Sequence, residues 1–484
     1  MATRPPLAAV AAVAAVATVA LLATCGKDPP PGSQLDAGTA AGHDTAGEET
    51  AGTETAGGET AGDDDALAAE TASGDGAAAA FDPGPEPTQR MRPQLGELMI
   101  VQMALSGMAG ITGEAGLVVG PDGTIVVVDV GNDSHDDDLR AAIKHLNTVE
   151  LTPARGYPAR TPLQVEWVIL THFHVDHIGG FDDLITTSKE PLTIVHGIVH
   201  RGLVDLGDGV SEGDWGEVCA ALQGPLAALD RPLCVAKTSA KADCGDPAAQ
   251  AHRPASGCPG LMVGDLADPG DDGDGEASWI GLGSGARMLL VGASAHIGDG
   301  TEVEAMAPFG HDDGDHENAR SVVASVQHGD FRYQLGGDLT GGGKGSPDVE
   351  SLVVARAGAW LWQKLGVDVT HIHHHGSHTS SNAGYVAAVA PADGRSRNAI
   401  IGINDGYVGF PKDDTVARWL ANKRLGGGSV WVTQDPWGGA DDDDFAGLRY
   451  AKGDVIVQTI AAGAGYRVQA AGGKLASKAF ESVR

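Results

Sequence analysis

The chain is poor in aromatic and basic residues and contains a single long apolar run. Aromatic residues make up 5% of its 484 residues, and 32 basic residues face 65 acidic ones, for a formal net charge of −33. That acid excess repels long nucleic acid, and no stretch interleaves basic with aromatic residues as a nucleic-acid groove would. The one apolar run lies at the N-terminus, which excludes a polytopic membrane protein. The 71 glycines follow no three-residue period, which excludes collagen.

The apolar run follows Arg4 and extends from Leu7 to Leu22. It is shorter than the roughly 20 residues of a membrane-spanning helix, and a charged start before a short apolar stretch is typical of a secretory signal. Its end, up to Cys25, resembles the lipobox of bacterial lipoproteins. We therefore expect an exported chain, anchored through a lipid on Cys25 to the bacterial cell envelope. Thr24 stands where a smaller residue is usual, so ordinary cleavage, an uncleaved anchor or a buried helix of a cytosolic domain stay open.

Residues 26–90 have the composition of a disordered linker. They contain 14 acidic and 2 basic residues, and Thr-Ala-Gly recurs every five residues from Thr45 to Thr60. Such a segment cannot bury enough apolar surface to offset its chain entropy, so it predicts a solvated tether, with a calcium buffer as the weaker alternative. One folded domain is expected over 91–484, which still has 51 acidic and 29 basic residues.

Four of the five cysteines lie in a segment of about residues 200–300 that is expected to be an insert: Cys219, Cys234, Cys244 and Cys258. An even number of cysteines in an exported chain predicts two disulfides, with three possible pairings. The spacing contains no Cys-x-x-Cys, which makes a zinc site the weaker alternative.

From about Met99 the sequence alternates short apolar strands with glycine turns. Residues 116–120 and 124–129 predict two strands joined by a tight Asp-Gly turn, and residues 138–146 and 355–365 have helical spacing. Strands with interleaved helices predict an α/β sandwich.

Eight of the 18 histidines fall in two short stretches, 172–177 and 371–378. The first has the pattern His-x-His-x-Asp-His-x-Gly-Gly and directly follows a predicted strand at 165–170. Imidazoles and a carboxylate at one strand end supply ligands for zinc-like cations. The pattern is too specific for a solvated polar loop, and we expect a metal site.

This motif resembles the one that holds a dinuclear zinc centre in the metallo-β-lactamase superfamily. An early Asp-x-Gly, Asp129 to Gly131, resembles the whole superfamily. Later segments resemble its ComEC/Rec2 competence-type hydrolase branch: Asn318 to Ser321, Gly337 and Asp338, His374 to Ser377, and Asn404 to Tyr407. The resemblance spans about residues 97–470 and implies an αββα four-layer sandwich. It departs at Phe410, where the relatives usually carry a histidine before the proline. The membrane helices of ComEC are missing, so the chain is not by itself a DNA-import channel.

The resemblance also implies a set of metal ligands. They are His172 and His174 on the first metal, Asp176, His177 and His374 on the second, with His375 as the alternative to His374, and Asp338 bridging both. Asp176 and Asp338 count as the catalytic carboxylates. Two Zn²⁺ ions are expected, with Mn²⁺ or Fe open, because a pair of cations lowers the pKa of a shared water and stabilises charge on a phosphoryl or acyl oxygen.

Three further residues are expected around these ligands. Asp129 either orients a ligand imidazole or caps a strand end, Ser377 either contacts substrate or caps a turn, and Asn318 is expected to clamp backbone. A third imidazole on the first metal has no clear position, and water is the alternative. Its candidates, each more typical of a structural or surface histidine, are His196, His200, His296, His311 and His316.

These features together predict an exported, metal-dependent hydrolase that acts on a small or short phosphodiester or a related ester. Long nucleic acid is not expected as a substrate, and membrane contact is expected only through the lipid anchor. Two alternatives stay open: a hydrolase of amides or lactones, including β-lactams, and a surface binding protein with a vestigial metal site. The sequence does not indicate an oligomeric state.

Overall fold

The computed structural model describes most of the chain after residue 91. The described residues are 92–106, 112–186, 190–202, 212–234, 261–262, 279–293, 296–297, 316–358, 361–362, 365–404, 406–435, 438–441, 443–471 and 477–482. The signal segment with Cys25 and the 26–90 linker lie outside them, so export and the tether stay predictions. Cys219 is buried, but the side chains of its three possible partners are outside the described residues, and the disulfide pairing also stays a prediction.

The first sheet contains ten strands of the described chain. In spatial order they are β19 (Lys478–Glu481), β18 (Gly465–Ala470), β17 (Val455–Ile460), β1 (Met99–Gln102), β2 (Gly116–Val119), β3 (Ile125–Val128), β4 (Gln164–Leu170), β5 (Thr193–His200), β6 (Asp230–Cys234) and β7 (Leu261–Met262). Neighbours from β19 to β3 pair antiparallel, and those from β3 to β7 pair parallel. The carboxyl ends of β3 and β4 therefore lie at the same edge of the sheet.

The second sheet contains nine strands of the described chain. They are β10 (His296–Ile297), β9 (Ala286–Ala293), β11 (Val323–His328), β12 (Phe331–Leu335), β13 (Val369–His371), β14 (Asn398–Ile401), β15 (Val430–Val432) and β16 (Leu448–Tyr450), with β8 (Trp279–Gly281) paired to β9. The pairs from β12 to β16 are all parallel. The loops that leave β12 and β13 consequently begin at one edge.

Seven α-helices are present in the described residues: α1 (Asp136–His145), α2 (Val175–Ile178), α3 (Glu212–Gln223), α4 (His316–Ala319), α5 (Glu350–Leu352), α6 (Ala383–Val389) and α7 (Asp413–Leu420). Short π-helical turns cover Leu146–Glu150, Asp182–Thr186 and Val353–Gly358, and 3₁₀ turns cover Asp133–His135, Pro153–Arg155, Gly343–Gly345, His374–Gly376 and Ala421–Lys423. In α1, Leu139, Ala142 and Ile143 are buried at helical spacing, and acidic residues occupy the first turn, where the helix dipole favours them.

Three apolar cores define four layers. The central core joins the facing sides of the sheets, for example Val126 with Ile400. One outer core packs Leu139 of α1 against the first sheet, and the other packs Val386 of α6 and Trp419 of α7 against the second. Each sheet thus buries both faces, and the expected αββα sandwich is confirmed.

Several predicted elements are confirmed with small changes of boundary. The strands expected at 116–120, 124–129 and 165–170 are β2, β3 and β4. The Asp-Gly turn expected between the first two strands is present at Gly123, which has a φ of +93°. The helix expected at 355–365 differs, because the described part begins as a π-helical turn over Val353–Gly358. Among the described residues, no helix has the length and apolarity needed to cross a membrane.

Candidate metal centre

Four loops that leave parallel strands meet between the two sheets. Asp129 follows β3, the segment 171–177 follows β4, Asp338 lies shortly after β12, and His374 and His375 lie shortly after β13. Because the carboxyl ends of parallel strands share an edge, each sheet delivers two of these loops to one place. Residues about two hundred positions apart in the chain are thereby brought into contact.

The first group of possible metal ligands contains His172, His174 and Asp338. One donor atom of each lies within 4.8 Å of the others. His172 Nε2 is 3.1 Å from His174 Nδ1 and 3.8 Å from Asp338 Oδ2. Two imidazole nitrogens and a carboxylate oxygen thus face a common point.

The second group contains His177, His375, Asp338 and Glu114, again within 4.8 Å of one another. Asp338 Oδ1 is 3.4 Å from His177 Nε2, and its Oδ2 is 3.3 Å from His375 Nε2. Asp176 Oδ2 lies 3.4 Å from the same His375 nitrogen. Asp338 therefore belongs to both groups.

The donor atoms fit a divalent cation. His177 Nε2 and Asp338 Oδ1 are buried and have no hydrogen-bond partner among the described residues. A buried polar atom without a partner costs about 1–3 kcal/mol, so this arrangement favours a ligand between them. Imidazole nitrogens with carboxylate oxygens are the donors that zinc prefers.

Asp129 makes both of the contacts considered for it. Its Oδ1 accepts the Thr171 backbone N–H at 2.7 Å, which caps the end of β4, and its Oδ2 lies 2.8 Å from His177 Nδ1. A proton on His177 Nδ1 leaves Nε2 turned towards Asp338. Asp129 holds this position with a left-handed backbone, at a φ of 58°.

The two adjacent histidines after β13 point to different places. His375 is buried against Asp176 and Asp338, whereas the side chain of His374 is 18% exposed. His374 Nε2 is 3.8 Å from Asp338 Oδ2 and 3.3 Å from Asn318 Nδ2. The second group thus contains His375 and not His374. The sequence had given His374 as the ligand of the second metal and His375 as its alternative.

The Asn-x-x-Ser and Gly-Asp segments meet directly. The backbone N–H of Asp338 donates to Ser321 Oγ at 3.2 Å. Gly337 has a φ of +51°, and a Cβ there would lie 2.6 Å from Thr171 Oγ1, so a larger residue does not fit. Ser377 Oγ accepts from the N–H and the hydroxyl of Thr379, which is the contact of a turn cap.

Charges in the cluster shift one another strongly. Burial alone would lower the pKa of His177 and His375, but the Asp338 carboxylate raises both pKa values well above their usual range. Burial would raise the pKa of Asp338, and the surrounding imidazoles, His375 first, hold that pKa well below its usual range. Burial, together with His177, lowers the pKa of His172 well below its usual range. Asp338 and the imidazoles of His177 and His375 thus stabilise one another's charged forms, whereas the charged form of His172 is disfavoured.

The 171–177 loop lies in a part of the chain that matches a known protein family. Residues 112–218 match the family model of the metallo-beta-lactamase superfamily. The matched segment includes the whole 171–177 loop. No curated protein matches the chain in sequence.

Three of the solved structures that resemble the chain are a diphosphatase, a protein named PDE1 and a metallo-beta-lactamase fold protein. A diphosphatase from the PhnP family is 12% identical, with 75% of this chain and 97% of that chain covered and a TM-score of 0.31. Unliganded yeast PDE1 is 9% identical, with 70% and 98% covered and a TM-score of 0.35. The metallo-beta-lactamase fold protein YhfI from Bacillus subtilis is 11% identical, with 70% and 96% covered and a TM-score of 0.31.

The 171–177 loop is anchored by a buried ion pair that the sequence did not reveal. Glu317 Oε1 accepts the backbone N–H of Phe173 at 2.8 Å, and Arg201 donates to both oxygens of Glu317 at 2.6 Å. Burial raises the pKa of Glu317, but Arg201 and Arg320 outweigh it and lower that pKa below its usual value. Asn318, expected as a clamp, follows this carboxylate in α4.

Two more residues of the site were also missed. Glu114 lies 2.6 Å from His371 Nε2 and 2.9 Å from His375 Nδ1. The Tyr407 hydroxyl donates to Asp176 Oδ2 at 2.6 Å. The family resemblance pointed to Tyr407, which ends the Asn404 to Tyr407 segment, whereas a lone glutamate before an apolar strand gave no signal.

The candidates for a third imidazole are not in either group within the described residues. His200 uses both ring nitrogens elsewhere, with Asp230 Oδ1 at 2.8 Å and the Gly202 N–H at 3.2 Å. His196 is exposed with its ring 5.5 Å from that of Trp167, and His316 is buried in α4. His311 and the side chain of His296 lie outside the described residues.

Proposed function

We propose that this chain is a metal-dependent hydrolase that attacks a phosphodiester or a related ester at a dinuclear centre. The observation that carries the proposal is the position of Asp338, whose carboxylate belongs to both groups of possible ligands. A carboxylate shared between two sets of imidazoles is the arrangement that a two-metal hydrolase requires.

The proposed ligands follow from the distances. His172 and His174 would hold the first metal, Asp176, His177 and His375 the second, and Asp338 both. Glu114 belongs to the same group but contacts Nδ1 of His375, so it would support that ring and not bind the metal. The donors favour Zn²⁺, with Mn²⁺ or Fe as the alternatives. Bound cations would lower the pKa of water and stabilise negative charge on a phosphoryl oxygen.

His374 and Asn318 are proposed to bind the substrate. His374 is the more exposed of the two adjacent histidines, and Asn318 Nδ2 lies 3.3 Å from its Nε2. Both groups present hydrogen-bonding nitrogens beside Asp338, where they would orient an ester oxygen. Tyr407 is proposed to hold Asp176 in place through its hydroxyl.

The substrate class is supported by the ComEC/Rec2-like segments, which favour a phosphodiester over an amide. The excess of acidic residues over 91–484 disfavours long polyanions, so we propose a small or short substrate.

Turnover of a defined panel tests this function. The purified full-length chain would be assayed on bis-p-nitrophenyl phosphate, short single-stranded DNA, a lactone and a β-lactam, with Asp338→Ala and chelator-treated enzyme as controls. We expect hydrolysis of the phosphodiesters that is lost in both controls. Turnover of the lactone or β-lactam alone would select the amide or lactone alternative. Equal activity in wild type and Asp338→Ala would refute the mechanism, and a protein without bound metal and without turnover would indicate a vestigial site.

Export is a separate proposal, supported by the signal-like run and the lipobox-like end. We propose that Cys25 carries a lipid that anchors the chain to the cell envelope. Labelled fatty acid should enter the wild-type protein expressed in bacteria, and Cys25→Ala should abolish the label and release the protein from the membrane fraction. An unlabelled wild-type protein would contradict the anchor.

A further inference from the structure

We propose that Glu114 is the positioning residue that makes His375, rather than His374, the histidine that binds the second metal together with His177. This inference rests on the proposed metal centre and extends it to a carboxylate behind the ligands, which lies between the two sheets.

The contacts of His375 define its tautomer. Its Nδ1 lies 2.9 Å from the carbonyl oxygen of Gly402 and 2.9 Å from Glu114 Oε2. A carbonyl oxygen only accepts hydrogen bonds, so the proton is on Nδ1. Nε2 lies 3.4 Å from Asp176 Oδ2 and 3.3 Å from Asp338 Oδ2 and is directed to the metal position. A carboxylate behind a ligand imidazole fixes its orientation and increases its basicity.

Glu114 is itself held in a closely fitted position. Its Oε1 is 2.6 Å from His371 Nε2 and accepts from Gln102 Nε2 at 3.2 Å. Its backbone N–H donates to the carbonyl oxygen of Asp176 at 2.9 Å. A Cβ at position 402 would lie 2.7 Å from Glu114 Oε1. The absence of a side chain on Gly402 therefore leaves room for the carboxylate. One residue therefore contacts both the Asp176 backbone and the His375 ring.

A neutral hydroxyl, rather than a carboxylate, contacts the Nδ1 of His374. Its Nδ1 lies 2.6 Å from Thr379 Oγ1. The Thr379 hydroxyl donates its proton to Ser377 Oγ, so it accepts from His374 and the proton of this ring is also on Nδ1. The two histidines are neighbours in sequence, and the group behind each ring distinguishes them.

The chain provides a matched control. Glu350 and His373 form a second buried pair, with Nδ1 and Oε1 2.8 Å apart and both residues fully buried. His373 Nε2, however, faces the Tyr385 hydroxyl at 3.2 Å and belongs to neither group of possible ligands. Removing this carboxylate perturbs a buried pair of the same kind without changing a proposed ligand.

Metal binding to the full-length chain tests the inference. Wild type, Glu114→Gln and Glu350→Gln would be titrated with Zn²⁺ against a competing chelator, and the Co²⁺-loaded proteins would be compared by their visible spectra. We expect Glu114→Gln to weaken one of two bound equivalents by about 10–100-fold and to change the Co²⁺ spectrum. Glu350→Gln should lower the unfolding midpoint while it leaves the affinity and the spectrum unchanged. His375→Ala should remove the equivalent that Glu114→Gln weakens, and His374→Ala should retain both.

Unchanged binding of both equivalents by Glu114→Gln would overturn the inference, as would an equal loss in Glu350→Gln or a loss of the second equivalent in His374→Ala. A wild-type chain that binds no metal would instead refute the proposed function. NMR of ¹⁵N-histidine in the Zn²⁺-loaded wild type does not depend on the folding of any variant. It should show His375 protonated at Nδ1, and protonation at Nε2 would also overturn the inference.

Discussion

Replacing Arg201 with methionine tests how the metal-binding loop is held. Arg201 and Glu317 are both at most 1% exposed, and two hydrogen bonds of 2.6 Å join them. Removing one partner leaves the other charge buried, which costs about 3–5 kcal/mol of unfolding free energy. The guanidinium also lies 4.4 Å from the centre of the Phe173 ring, and loss of that contact adds about 0.5–2 kcal/mol. We therefore expect Arg201→Met to lose about 3.5–7 kcal/mol of unfolding free energy.

The assay is urea unfolding of the metal-free chain, with Arg201→Met, Glu317→Gln and the double variant compared as a cycle. Glutamine keeps an acceptor for the Phe173 N–H but has no charge, so the double variant should recover part of the loss. The expected coupling is about 2–3 kcal/mol, because the two residues are in direct contact. A loss below about 1 kcal/mol in Arg201→Met, as for an exposed ion pair, would refute the argument, and so would additive losses in the double variant.

The same pair predicts a dependence on pH. The pKa of Glu317 lies below its ordinary value of 4.5 in the folded chain, because the two arginines outweigh its burial. A depressed carboxyl pKa contributes stability that is present above the ordinary value and is lost as pH falls through the folded value. Stability of the wild type should therefore fall more steeply below pH 4.5 than that of the double variant.

Three other variants or conditions give direct outcomes. Asp338→Asn should lower the amount of metal bound at both positions, measured by elemental analysis. It should also reduce turnover by more than about 100-fold, because loss of a residue that only supports a ligand already costs about 10–100-fold. Two tightly bound metal equivalents in this variant would contradict the shared role of Asp338. Removal of metal by a chelator should lower the unfolding free energy by about 2.7 kcal/mol for each site that had been filled at 100 times its Kd, and an unchanged midpoint would mean that no metal was bound. Gly337→Ala should destabilise by at least about 1 kcal/mol in urea, because its φ is +51° and the new methyl meets Thr171 Oγ1; a neutral result would show that the turn relaxes.

Much of the fold and part of the site followed from local patterns. Apolar runs between glycine turns predicted β2, β3 and β4, because burial on both faces of a sheet demands continuous apolar strands. The 171–177 loop was identifiable because its ligand types are close together and follow a strand.

The remaining features of the site depend on contacts between distant segments. His374 and His375 both adopt left-handed backbone, with φ values of 51° and 53°, and a ligand assignment for such a turn needs its three-dimensional surroundings. Glu114 is more than 250 positions from His375.

Sequence alone was sufficient for the layered architecture and for recognising a cation-binding loop, since both arise from the order of residue types along a few consecutive positions. The family resemblance had already implied Asp338 as the shared carboxylate. The group behind each imidazole and the buried ion pair under the loop required the folded chain. The residues that make these contacts lie beside apolar strands or in loops, and no sequence motif connects them. Packing of the two sheets brings them within hydrogen-bonding distance.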